Sequence, residues 1–395
     1  MSNRFTASRF PRAKVTIGLG VSLALAGVSA MSVHAATGTV TEFNVPTATS
    51  QPNGIDLGPD GNVWFTELNT DKVGKITPAG VITEYTVPTA VSGPRNISAG
   101  PDGNLWFTEF NTDKIGKVTT SGAFTEYPVA TVNSGPRGII AGADGNLWFT
   151  EYNASKVAKI TVAGTITEFN TPTAGAGPRS IDRGPDGNLW VTEQGINAIA
   201  RVTTAGVITE FPTPTPSSVP ARMTAGADGN LWFTENAANK IGRATTAGVI
   251  TEFSIPTAAS FPVGITAGPD GNVWFAENTG NKIGRITPSG IITEFSTGIT
   301  AASGPQNITV GADHNIWFTE QNADKLARLS VVLAATATPA PTARPGLGGT
   351  GLAPGQAASS GGALLPAAVA GLVLGGGLVV TASTVRLRRR RQVQH

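Results

Sequence analysis

Along residues 94–130, short apolar runs alternate with polar turn clusters at a spacing too close for helices. Ile97 to Gly100 closes on Pro101-Asp102-Gly103-Asn104, and Asp-Gly between two hydrophobic runs is the strongest short-range hairpin signal. The pattern therefore predicts strand A, a tight turn and strand B over Leu105 to Glu109, which ends at the polar Asn111-Thr112-Asp113-Lys114. Ile115 to Thr119 resumes the alternation as strand C, Thr120-Ser121-Gly122 turns the chain, and Ala123 to Tyr127 forms strand D. A helix would need apolar residues at i, i+3, i+4 and i+7 over ten or more positions, and Gly, Pro, Thr and Asn interrupt every such window in the repeats.

This unit recurs. Tryptophan stands at Trp64, Trp106, Trp148, Trp190, Trp232, Trp274 and Trp317, spaced by 42 residues until a final 43. Four short strands in about 42 residues make one propeller blade, and the Gly-His and Trp-Asp signatures of WD repeats are absent. The strand D marker TEF or TEY occurs at Glu42, Glu84, Glu126, Glu168, Glu210, Glu252 and Glu294. The first of these precedes the first tryptophan, and the last repeat ends at Leu329 without one. An orphan D strand at the start and a missing one at the end pair to close a ring and remove two exposed edges. The expectation is an all-β, seven-bladed propeller of four-stranded blades, with residues 37 to 45 completing the last blade.

The ends of the chain are of another character. Residues 1–35 read as a signal peptide: a basic start, an apolar run from Val15 to Val28 and a Val33-His34-Ala35 cleavage site. With the propeller over 36–332, residues 333–362 form a Pro/Ala/Gly/Thr-rich stalk too poor in large apolar residues to fold alone. Residues 363–385 carry no charge, a length sufficient for a single C-terminal transmembrane helix, and 386–395 form a basic cytoplasmic tail under the positive-inside rule. Leu347-Gly348-Gly349-Thr350-Gly351 resembles a cell-wall sorting signal, with Gly348 where that signal has proline. The expected location is thus the cell membrane, single-pass, with the propeller outside and cell-wall attachment as the lesser alternative.

Charge changes the picture once the ends are set aside. The whole chain has a formal charge of +2, but residues 37–332 hold 18 basic side chains against all 26 acidic ones, which argues against nucleic acid as a partner. There is no cysteine, so neither a disulfide nor a thiolate metal site can form. No Gly-rich phosphate loop, Ser/His/Asp set or nucleophile elbow occurs.

The combination GPDGNxWFTE, then NKIGR, then GxITEF, repeated at this period over residues 37–330, resembles the streptogramin B lyase (virginiamycin B lyase) family. The resemblance implies a seven-bladed propeller. For the enzyme among its members it implies magnesium-dependent C–O elimination that opens a cyclic depsipeptide at its ester. It further implies a Pro-His motif opening strand A in each of the last two blades, a glutamate before the second such proline, and another ending the last strand B. Here the residue after the strand A proline is Asn53, Arg95, Arg137, Arg179, Ala221, Val263 and Gln306 in blade order, and Gly304 stands where the first glutamate is expected. Only Glu320 matches, as a single candidate metal ligand. His34, His314 and His395 are the only histidines, and none lies at a strand A start.

The start of strand A and the end of strand B share one rim. That rim collects Arg95, Arg137 and Arg179 with Asn53 and Gln306, and the glutamates Glu109, Glu151 and Glu193 with their equivalents Glu67, Glu235, Glu277 and Glu320. The first reading is a ring of Arg–Glu ion pairs tying blades together, so that losing the three arginines would lower stability. The alternative is a positive sector that binds a carboxylate or phosphate. The recurring tryptophans are expected as packing between blades, and the Asp-Gly-Asn turns as hairpins and not calcium loops. The functional expectation is a monomeric ligand-binding or surface-interaction module for a small molecule, peptide or cell-surface ligand, with no catalytic residue and no cofactor. The alternative is a lyase of the streptogramin type using Mg²⁺, with a rim glutamate such as Glu277 as a relocated base.

Overall fold

A computed structural model describes residues 38–331, and they form seven four-stranded antiparallel sheets arranged as the blades of a propeller. In blade 2, strand A is Pro94–Ala99, strand B Leu105–Glu109, strand C Lys114–Val118 and strand D Phe124–Pro128. The last blade takes strands A to C from Pro305–Val310, Ile316–Glu320 and Lys325–Leu329, and its outer strand is Val40–Asn44, paired antiparallel from Val40 opposite Leu329 to Asn44 opposite Lys325. The ring closes as the orphan strand D marker requires. The signal segment, stalk, apolar span and basic tail expected from the sequence lie outside the described residues.

The repeated residues explain the repeated unit. Gly103 in the A–B turn has φ +73°, a conformation that a side chain would strain. Asp102 in the same turn accepts a hydrogen bond from the Trp106 indole nitrogen at 3.0 Å, and the equivalent bond forms in all seven blades. Each tryptophan stacks on the strand D aromatic of its own blade, as Trp106 does on Tyr127 with 5.5 Å between ring centroids. It also belongs to the apolar cluster of the next blade, where Trp106 meets Ile139, Leu147 and Phe149. The tryptophans are buried, so one residue ties turn, blade and neighbouring blade together. The carboxylate of the Asp-Gly-Asn turn is engaged by that indole and by Asn104, which accounts for its recurrence as a structural device.

Strand A begins three residues earlier than the apolar pattern indicates, at the proline, and each strand A carries a register shift immediately after it. Such a bulge re-aims the side chains it contains. A strand B threonine bridges the irregularity: Thr108 Oγ1 accepts from the Asn96 backbone N–H at 3.1 Å and donates to the Arg137 carbonyl of the next blade at 3.0 Å. The backbone of the residue after the proline is thereby held by the preceding blade in six of seven cases. Blade 6 has Ala276 in place of this threonine.

An arginine-lined candidate site in the central channel

The strand A bulge directs polar side chains into the axis of the ring. At the end where the A strands begin, a small cavity is lined by Asn53, Arg95, Arg137, Arg179, Arg222 and Gln306. Five of these six residues follow the strand A proline directly. The sixth, Arg222, sits one position further along in blade 5, after Ala221, and the periodic register gave no reason to select it. Deeper in the channel a cavity of about 130 Å³ is lined by isoleucines of several A strands together with Asp56, Asp182, Asn96 and Arg222.

Each guanidinium is held by a group other than a carboxylate. Arg95 lies over the Phe110 ring at 4.2 Å and Arg137 over the Tyr152 ring at 4.7 Å, a favourable placement of cation on π-face. Arg179 donates from Nη1 to Asn236 Oδ1 at 3.1 Å, and Arg222 donates from Nη1 to Asn96 Oδ1 at 2.9 Å. Phe110, Tyr152 and Asn236 all occupy the position just after the strand B glutamate, and the aromatics fall in two of the blades that carry an arginine. That coincidence was the available signal for them.

Among the described residues, none of the four arginines makes an ion pair with any carboxylate. The expected ring of Arg–Glu struts is not formed. Burial, followed by repulsion from neighbouring arginines, pulls Arg179 and Arg222 down to about 9 and holds Arg137 well below the usual arginine range.

The strand B glutamates share the rim in sequence but not the cavity. Glu67, Glu109, Glu151, Glu193, Glu235, Glu277 and Glu320 are all fully buried, and none lines the arginine cavity. Glu109 faces Glu126 of strand D, and burial followed by that neighbouring charge pushes its carboxyl up to about 7. Burial raises Glu151, Glu193 and Glu235 to about 8, and Glu67, Glu277 and Glu320 to about 7. At neutral pH Glu151, Glu193 and Glu235 are largely protonated and the other four about half so, which reduces the negative charge of the set. Glu320 accepts a hydrogen bond from Ser303 Oγ at 2.8 Å. Among the described residues, no group of three His, Asp or Glu side chains converges so that it could hold a metal ion.

Strand D carries the charged glutamates. Glu84 accepts from the Thr47 backbone, the Thr47 hydroxyl and Lys72 Nζ, and the same constellation with a Lys recurs in six blades. In blade 4, Ala198 replaces the lysine, and Glu210 binds Thr173 alone. These ties clamp the connection between blades, a role the sequence reading had given to the arginines.

Fold and repeat chemistry define a seven-bladed propeller of the lyase-like lineage, with its candidate site at one mouth of the channel. The chain belongs to the virginiamycin B lyase family, whose pattern it matches over residues 27–174 and 138–345. A solved streptogramin B lyase is 41% identical, with a TM-score of 0.71 over 74% of this chain and 97% of that one. The virginiamycin B lyase of Staphylococcus aureus is likewise 41% identical, with a TM-score of 0.71 over 74% of this chain and 99% of its own. A catalytically inactive histidine-to-alanine variant of the S. aureus enzyme with quinupristin is 40% identical, with the same coverage and TM-score. Kuenenia stuttgartiensis hydrazine synthase, at 14% identity and a TM-score of 0.59, shares the fold alone. The curated proteins yield no significant match.

Proposed function

We propose that this chain uses the lyase fold as an exported, membrane-anchored binding module, and that it does not perform C–O elimination. One observation carries the reading: the channel mouth presents Arg95, Arg137, Arg179 and Arg222 with Asn53 and Gln306, and no side chain in that lining can accept a proton near neutral pH. Opening an ester by elimination requires a positioned base, which contributes typically about 10² to 10⁴-fold. The related S. aureus enzyme is inactive when a histidine becomes alanine, and the positions where the family resemblance expects histidine are Val263 and Gln306.

A relocated base finds no support in the geometry. Burial pushes Glu277 up to about 7, a suitable value for a general base, but its side chain is sealed from the channel. Magnesium fits no better. Glu320 is buried and bonded to Ser303, Gly304 brings no second carboxylate, and one carboxylate does not make a magnesium site.

Export and anchoring rest on the leader over residues 1–35 and the uncharged span over 363–385. Partners of the module would be small molecules, peptides or cell-surface groups that reach the channel mouth.

The test is restoration. Introducing Val263→His, Gly304→Glu and Gln306→His into the full chain should create magnesium-dependent opening of a cyclic streptogramin B depsipeptide where the native chain has none. Equal ring opening by native and triple variant would contradict the reading.

A further inference from the structure

The four channel arginines converge from consecutive blades 2 to 5 on a cavity that no carboxylate lines. Burying a charge without a charged partner costs several kcal/mol, and here the buried Arg179 and the half-buried Arg95, Arg137 and Arg222 share that cost. Asp56 and Asp182, deeper in the channel, do not relieve it. They accept hydrogen bonds from the backbone N–H groups of Leu57, Ala99 and Arg183 and from the hydroxyls of Ser98, Thr309 and Thr224, and neither forms an ion pair with one of the four arginines.

The donors are arranged for a ligand. The Phe110 ring holds Arg95 without using up its N–H groups, and the buried Arg95 Nε has no hydrogen-bond partner; Tyr152 holds Arg137 through its ring and a side-chain hydrogen bond. Asn278 donates to Gln306 Oε1 at 3.0 Å, which orients that amide and leaves its Nε2 as a further donor. The space between these side chains is about 20 Å³, about one water, and it opens at the mouth. It seats one oxygen of a compact anion whose remaining atoms stand at the opening.

We propose that Arg95, Arg137, Arg179 and Arg222 form an oxyanion site that takes a single phosphate group, free or as the terminus of a phosphate monoester. A dianionic tetrahedral group matches the charge and the number of converging donors better than a monoanionic carboxylate, and guanidinium forks bind such oxygens two at a time. The proposal rests on the reading of the channel mouth as a binding site, and it names the class of ligand.

The test is titration of the full chain with inorganic phosphate at low chloride, read by calorimetry and by thermal unfolding, with sulfate and acetate in parallel. The expected result is saturable one-to-one phosphate binding, a melting temperature that rises with phosphate, and weaker binding of acetate. Arg137→Gln and Arg222→Gln should each weaken phosphate binding by about tenfold or more, while the phosphate-free variants melt at or above the native temperature because repulsion is relieved. No heat and no shift in melting at about 10 mM phosphate would overturn the proposal, as would phosphate binding unchanged in both variants. A phosphomonoester competing with inorganic phosphate supports a presented terminus, and its failure to compete restricts the site to the free ion. Ring opening of the depsipeptide by the same preparation would sink the binding reading itself. Silence toward phosphate without ring opening would sink the anion site alone.

Discussion

Arg222 reaches across the channel to donate to the Asn96 side-chain oxygen at 2.9 Å, although 126 residues separate the two. A neutral acceptor stands where a half-buried guanidinium would be better served by a charged one. Asn96→Asp should therefore pair Arg222 and raise stability by about 1 kcal/mol or more, after losing the 3.3 Å bond from Asn96 to the Ile139 carbonyl. Denaturant unfolding of the variant checks this. A fall in stability would mean that the cluster already has its compensation.

The seven buried glutamates make the propeller's stability depend on pH. Their carboxyls titrate at about 7 to 8 in the folded protein, against an ordinary value of 4.5. Between those limits the native state binds more protons than the unfolded chain, so stability falls as pH rises from about 5 to about 8. On the acid side the sign reverses. Burial alone would raise Glu84, but its bonds to Lys72 and Thr47 outweigh burial and hold it below its ordinary value, so stability is lost as pH drops through that lowered range. The melting temperature should peak near pH 5 and decline toward pH 8.5. Glu151→Gln, which cannot ionise, should flatten the decline and be the more stable protein at pH 8.5. A native melting temperature that rises over this interval would refute the assignment.

Glu42 closes the ring chemically as well as topologically. It pairs with Lys325 Nζ at 2.6 Å and accepts from the Thr300 hydroxyl at 2.7 Å, more than 250 residues away in sequence. Replacing Val40–Asn44 by Gly and Ser residues would leave the Lys325–Leu329 strand as an open edge. The full chain so altered should aggregate or melt well below the native temperature. Monomeric protein with unchanged melting would rule out a closing role for this strand.

Much of this was legible in the sequence, and the exceptions have physical causes. The period, the A–B hairpins and the closing strand could be read because tryptophan, the turn aspartate and the TEF or TEY marker each do one fixed job in every blade, with Gly after that aspartate in six of the seven. The start of strand A could not. Pro94 lacks an N–H and Arg95-Asn96 are polar, so the bulged opening of the strand looks like loop. The Arg–Glu struts failed for a related reason. Pro94 lies opposite Glu109 in the ladder, so both residues reach the same rim, but the bulge turns Arg95 into the channel while Glu109 is buried against strand D. Arg222 escaped notice because it is one residue out of register, and its partner Asn96 comes from the far side of the ring.

The proposed topology, in which Arg386 and Arg388 to Arg391 would keep the other end inside, predicts that protease added to intact cells releases residues 37–332. A propeller protected until the membrane is permeabilised would reverse the orientation.

The claim that this member of a lyase family binds without catalysing elimination is tested most directly under single-turnover conditions. The native full chain, in excess over a cyclic streptogramin B depsipeptide and with saturating magnesium, is followed by mass spectrometry and absorbance for opening of the ring. The predicted result is an intact cyclic depsipeptide at every time sampled. Linear product that forms with native protein and vanishes in Glu320→Gln would contradict the account and make this chain a lyase with a displaced base.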